Sequence, residues 1–470
     1  MKRKIAVFAN AWSMKNLSDA LVGIKECAKE KDMDVFIFLS HAAPGNSEDE
    51  MREEKRIYQL PDLADFDAAI VFSASMNFMD LVLGIRDRAI QAGIPAVSVG
   101  IRIEGMGYVG TDHEDSMCEL VEHLVTEHQV RTIRFMAGPK GHEHSELRIA
   151  GTRKVFEKHG IPFHEEDIFY SDWSASVAAA EVKRILTDQN ASLPDAIICA
   201  NDTLAMPVCI QIEKHGYKVP DDVIVTGFDD SFDGQVFYPA IATVGQSDYE
   251  LGKYVFRSVW EAIQGNPTEE FLLKSYFVAN ESCGCHSDKT DVSRRQVCQN
   301  YFPDKVEDIK FGWGNKWLSE MILSAENISQ IKTNLNNYLA QSESFYRTSY
   351  FLQDMTAGEY LEGKEIDKNS PGYSEELKVW ASANAGKIIP CDKISRRELI
   401  PGYKKEEGVT HMYMFLPLHF ETCIFGYLVL DDWMEGIESG KIKVFMDSLN
   451  MNLDKLKQNM VLENLNARLR

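Results

Sequence analysis

"ICANDTLA" (198–205) and "VPDDVIVTGFDD" (219–230) are the stretches whose reading decides the fold. Each is an apolar run of strand length that stops at amides or carboxylates, and in the first a helical pattern follows at once. A strand covered on both faces reads as a near-continuous apolar run. Polar residues just beyond its carboxyl end are where open α/β sheets carry their ligand loops. The same reading extends outward to "KIAVFAN" (4–10), "DVFIFLS" (34–40), "AAIVFSA" (68–74), "PAVSVG" (95–100) and "TIRFMAG" (132–138). Amphipathic stretches alternate with them, for example Leu17, Leu21, Ile24 and Ala28 on one helical stripe. Strand–helix alternation of this length predicts parallel βαβ units. There are enough units for two lobes, so residues 1–286 are expected to be α/β, a two-lobed pair of doubly wound parallel sheets.

The bulk properties narrow the function. The 470 residues carry a formal charge of −22, which repels a phosphate backbone and anionic lipid alike. No run approaches a membrane span, and the N-terminal apolar run is shorter than a secretory signal. Nine scattered cysteines, an odd count, fit a reducing cytoplasm better than a disulfide framework. "CGCH" (283–286) invites a metal reading, but a zinc site needs about four ligands. No second Cys/His pair stands at suitable spacing, so no metal is expected. The two histidines of "GPKGHEH" read as a solvated loop.

The chain changes character after 286. "SDKTDVSRRQ" reads as a polar linker, and 316–345 reads as one long amphipathic helix, with 287–345 taken together as a connector. "THMYMFLPLHF" and "CIFGYLVLDD" form a predicted hairpin turning at Glu421 and Thr422, inside a third α+β domain at 346–437. In the tail, 438–470, Ile442, Met446, Leu449, Leu453, Leu456 and Met460 step at heptad spacing. That helix either packs on its own domain or forms a dimerising coiled coil.

Five motifs share one order and spacing: "DWSA" (172–175), "ICANDTLA", "VPDDVIVTGFDD", "YPAIATVGQ" (238–246) and "SCGC" (282–285), with "RIAG" (148–151) preceding them. Residues 1–286 thereby resemble the ligand-binding domain of LacI/GalR sugar repressors, a periplasmic-binding-protein-like fold. The resemblance implies that Arg148 offers a forked donor, Trp173 a stacking wall, Asn201 an amide, Asp229 an acceptor for paired hydroxyls and Gln246 a lobe-crossing contact. Asn10, Trp12, Ser73 and Ser75 complete the expected ligand set from the first lobe's strand ends. Asp202 reads instead as an N-cap. The first loop, "ANAWSM", departs from the family's aromatic-polar pattern, which leaves the ligand's identity open. The helix-turn-helix of these repressors has no counterpart before Lys4, so no direct DNA binding is expected. The 346–437 segment resembles a GAF-type sensory domain, and the final helix resembles the signalling helix that leads into GGDEF diguanylate cyclases.

These readings lead to a non-enzymatic cytoplasmic sensor with no cofactor and no catalytic residue. It would bind a small polar ligand such as a sugar, dimerise through its C-terminal helix and regulate an output such as a diguanylate cyclase. The alternative is a LacI-like regulator that lacks its own DNA-binding part and acts through a protein partner.

Overall fold

A computed structural model describes residues 2–11, 14–42, 47–76, 78–188, 192–267, 270–286, 288–325, 328–341, 349–354, 373–384, 387–388, 393–403, 408–420, 423–432 and 441–469. The chain divides into two compact units, neither contiguous in sequence. The first comprises Met1–Val109, Asp248–Phe271 and Val306–Arg470; the second comprises Gly110–Ser247 and Leu272–Lys305.

The seven long apolar runs are all strands. In the first unit Arg3–Asn10 is central, flanked in parallel by Met33–Ser40 and Ala68–Val71, with Ala96–Val99 beyond. Met33–Ser40 is buried at all eight positions. The helix Met14–Glu30 buries the expected Leu17, Leu21, Ile24 and Ala28.

The C-terminal region does not stand apart as a third domain. Met412–Phe420 pairs in parallel with Met33–Ser40, in the register Met412↔Val35 to Phe415↔Phe38. The sheet then continues through Cys423–Asp431, Ser349–Asp354 and Glu376–Asn384, all antiparallel. Met33–Ser40 would otherwise be an apolar edge with unpaired backbone groups, and Met412–Phe420 covers it. Asp34, fully buried, fastens the join: its carboxylate accepts from His411 N at 2.9 Å and from the Tyr403 hydroxyl at 2.6 Å, and it pairs with Lys2 at 2.8 Å. The hairpin itself is as expected, with its turn at 421–422 outside the described residues.

Three further expectations change. "SDKTDVSRRQ" is not a loose linker, because the helix Asp288–Leu323 begins inside it. There Arg294 grips both oxygens of Glu281 at 2.8 Å, and Ser293 donates to Gln235 at 2.8 Å. The single helix expected over 316–345 is two, Asp288–Leu323 and Ile328–Gln341. In the terminal helix Lys441–Leu469, Ile442, Met446, Leu449 and Leu453 are buried within the first unit, so four of the six seam positions are spent on intrachain packing. Asn452 donates to Ser319 at 2.7 Å on the same interface. The side chains of Leu456 and Met460 lie outside the described residues, and Leu462 is exposed.

The second unit has a four-stranded parallel sheet in the order Ile168–Tyr170, Ile133–Ala137, Ala196–Cys199, Ile224–Thr226. The order reverses between Ile133–Ala137 and Ala196–Cys199. Such a switch point opens a crevice at the strands' carboxyl ends. A two-stranded antiparallel ribbon, Thr243–Gly245 with Tyr276–Val278, completes the unit.

Candidate functional site

The carboxyl ends of the second unit's strands hold the polar groups the sequence singled out. Arg148, on the helix Glu143–Lys158, is 4% exposed. A surface ion pair is therefore not its role. Its guanidinium donates to the Ala200 carbonyl, lies 3.4 Å from Asp229 Oδ1 and 3.4 Å from His113 Nδ1, and its Cζ sits 3.7 Å from the centre of the Phe228 ring. Burial lowers the Arg148 pKa, against the pull of Asp229 and Asp202. Burial raises that of Asp229, against the pull of Arg148.

Asp229 follows Ile224–Thr226 and is held at φ +103°, with Asp230 at +49°. Its amide donates to the Val244 carbonyl at 2.8 Å, which fixes the turn. Trp173 and its neighbour Asp172 also have positive φ, +60° and +52°. Non-glycine residues in this region store strain of about 1–3 kcal/mol each, and such strain concentrates at functional sites. The Trp173 indole lies where a Cβ on Gly138 would stand, 2.4 Å from Cζ2. Only glycine at 138 admits it. The ring is half-buried and meets His142 edge-on at 5.4 Å.

Asn201 takes the capping role expected of Asp202, and Asp202 is a buried tie between loops. Asn201 Oδ1 accepts from Leu204 N at 2.9 Å, so Asn201 is the N-cap of the helix Asp202–Lys214. Asp202 is buried, accepting from Ser231 N at 2.7 Å and bonded to the Thr243 hydroxyl at 2.7 Å. Burial, with Asp229 nearby, pushes its pKa up to about 8. A Cβ on Gly227 would lie 2.1 Å from Asp202 Oδ1, so this glycine makes room for the carboxyl group. Asp202 thus ties together the loops that carry Asn201, Asp229 and Thr243. Gln246 is half-buried just past Thr243–Gly245.

Three histidines also belong here. His113 is buried and lies 4.1 Å from the His144 ring, with His142 5.5 Å beyond. Burial and then Arg148 hold His113 well below its usual pKa, so it is neutral. "GPKGHEH" is therefore a half-buried wall beside Arg148 and Trp173, not a solvated loop. Its closeness to "RIAG" on the same helix was the available signal.

In the first unit the expected residues are occupied by the fold. Ser73 is buried, with its hydroxyl 2.8 Å from Ser98 Oγ and 2.9 Å from the Val99 carbonyl. Its hydroxyl ties the start of 73–76 to the end of Ala96–Val99. Asn10 is buried and donates through Nδ2 to the Ala42 carbonyl at 2.8 Å. Ser75 donates to the Phe72 carbonyl at 2.8 Å and is partly exposed. Trp12 lies outside the described residues.

Residues 121–276 match the family model of the periplasmic binding protein-like domain. The chain is similar there to periplasmic-binding-protein-like domains and to LacI-family regulators. The lactose operon repressor of Escherichia coli (strain K12) is 30% identical over 211 residues, 43% of this chain and 52% of the repressor. The HTH-type transcriptional regulator CelR of Thermobifida fusca is 27% identical over 199 residues, 41% of this chain and 57% of CelR. The chain thus matches only about half the length of these two relatives. Among solved structures, the CelR–cellobiose complex aligns with TM-score 0.50 at 22% identity, covering 60% of this chain and 85% of that one. A LacI-family regulatory protein from Chloroflexus aggregans aligns with TM-score 0.51 at 21% identity, covering 60% and 99%. These structural likenesses speak for the fold. The GAF-like and GGDEF-linked expectations have no counterpart among these matches.

Proposed function

We propose that this chain is a cytoplasmic sensor of a small polar metabolite, of the sugar class, and not an enzyme. One observation carries the reading: a buried guanidinium, fixed by Ala200 and Phe228, faces a carboxylate that is one third exposed, beside a half-buried indole. Arg148 engages Asp229 Oδ1, which leaves Oδ2 to accept from ligand hydroxyls. Trp173 supplies an apolar wall for a C–H face. The group set suits a polyhydroxylated ligand held by few, well-placed hydrogen bonds. The likeness to CelR, solved with cellobiose, points to the same class.

The finer reading concerns output. At a charge of −22 the chain itself is unsuited to DNA. Binding would be reported to a protein partner or to an output domain such as a diguanylate cyclase, through the C-terminal helix. The burial of Ile442, Met446, Leu449 and Leu453 leaves only the part beyond Leu453 of that heptad stripe for a dimer seam.

Calorimetry of the full chain against mono- and disaccharides, cellobiose included, tests the proposal. Micromolar binding that is lost in Arg148→Ala and in Asp229→Ala is the expected result. Binding unchanged in both variants overturns it.

A further inference from the structure

His123, His128, Cys283 and Cys285 come together in the second unit, all four ligand atoms within 4.8 Å of one another. We propose that they form a structural zinc site. Their spacing is H-x4-H and C-x-C, and the first lies within the range common in zinc proteins.

Four of the six edges lie near those of a zinc tetrahedron. Zinc–sulfur bonds of ~2.3 Å and zinc–nitrogen bonds of ~2.05 Å require S···N edges of about 3.6 Å and an N···N edge of about 3.3 Å. Cys285 Sγ lies 3.6 Å from His123 Nε2 and 3.5 Å from His128 Nε2; Cys283 Sγ lies 3.9 Å from His123 Nε2. The two histidine nitrogens are 3.0 Å apart, slightly closer than zinc would hold them.

Backbone contacts on both sides hold these groups in place. His123 is in the last turn of the helix Glu114–Thr126, and Gln129 at φ +57° turns the chain just past His128. On the other side, the Asn280 carbonyl accepts the amides of both Cys283 and Cys285 at 3.1 Å, and Gly284 takes φ +91° between them. Ser282 donates to the Val225 carbonyl at 2.6 Å and anchors the same turn to the sheet. The Phe277 ring covers His123 at 4.8 Å. Cys283 is buried and the other three are half-buried.

Charge and chemistry agree with this. Two thiolates neutralise one Zn²⁺, so the assembled site has no net charge to bury. The mixture of soft sulfur and imidazole suits zinc over calcium or magnesium. Four protein ligands close the coordination sphere, which makes the site structural and not catalytic. It would pin the end of one helix to the segment leading into Asp288–Leu323.

The test uses the untagged full chain grown with zinc and dialysed before metal analysis. About one zinc per chain is expected. Cys283→Ser/Cys285→Ser should lower zinc content at least tenfold, and His128→Gln, at a half-buried position, should weaken retention against a chelator. Adding Co²⁺ to the reduced, metal-stripped wild type needs no variant. It should give thiolate-to-cobalt charge transfer in the near ultraviolet and the d–d bands of a tetrahedral complex. A wild type that holds no zinc and shows no thiolate–cobalt band overturns the proposal, as does zinc content unchanged in the double cysteine variant.

Discussion

Phe38 and Phe415 stack with ring centroids 4.8 Å apart and planes 22° from parallel. One comes from the second strand of the chain and the other from the hairpin near its end, and they sit opposite each other in the register joining Met33–Ser40 to Met412–Phe420. Phe36, Phe66 and Tyr413 pack around them. The C-terminal strands thereby share a core with the first unit.

Phe415→Ala should destabilise the chain by about 3–5 kcal/mol, the usual cost of emptying a buried aromatic site. The loss should appear at Met33–Ser40 as well as in the hairpin. Hydrogen exchange checks this: amides of both strands should lose protection together. Protection retained at Met33–Ser40 would mean that the hairpin opens independently.

Arg148 and Asp229 are a buried charge and its partner. A hydrogen bond from the ligand to a charged group contributes about 1.5–3 kcal/mol, so removing either should weaken ligand binding roughly 10- to 150-fold. Arg148→Lys should recover little, because one ammonium cannot reach the Ala200 carbonyl, Asp229 and the Phe228 face together. Calorimetric titration of the three variants gives the comparison.

Asp202 makes a pH prediction. Its pKa is about 8 in the fold, against the usual 3.8. The folded state therefore binds the proton more tightly than the unfolded one, so this group's contribution to stability falls as pH rises from about 4 to about 8 and is level beyond. The slope is at most about 1.4 kcal/mol per pH unit. Asp202→Asn keeps an acceptor for Ser231 N and removes the titration. Urea unfolding from pH 4 to 9 should show a flatter profile in the variant, with the variant the more stable at pH 9.

Gly138→Ala would place a methyl group where the Trp173 indole lies. Overpacking of this kind costs about 1–3 kcal/mol. The indole N–H resonance of Trp173 should shift, and polar-ligand affinity should fall in step. An unmoved resonance with intact affinity would show that the site tolerates the methyl group.

The strands of both units were legible because apolar runs covered on two faces announce themselves. Ile168–Tyr170 and Thr243–Gly245, three residues each and without a longer apolar run around them, were not read. Asn201 and Asp229 could be put at strand ends from the apolar runs before them, and the motifs singled out Arg148 and Trp173. That Asn201 caps while Asp202 is buried could not be read, since either residue suits either position. Joining Met33–Ser40 to Met412–Phe420 needs a parallel pairing across most of the chain. Its one trace was that "VFIFLS" carries no charge to blunt an edge. The His123–His128 pair escaped for a related reason: its partners at 283 and 285 are far away in sequence, and spacing rules see only neighbours.

Met33–Ser40 also bears on biosynthesis. On the ribosome this strand emerges long before Met412–Phe420, and at about 5–20 residues per second the interval is roughly 20–75 s. All of the second unit is made within that interval, so it can fold first. Throughout, the nascent first unit has an unpartnered β-edge of continuous hydrophobic character, the kind of surface that chaperones shield. Yield in the cell should then depend on how well that wait is protected, more than on how stable the finished protein is.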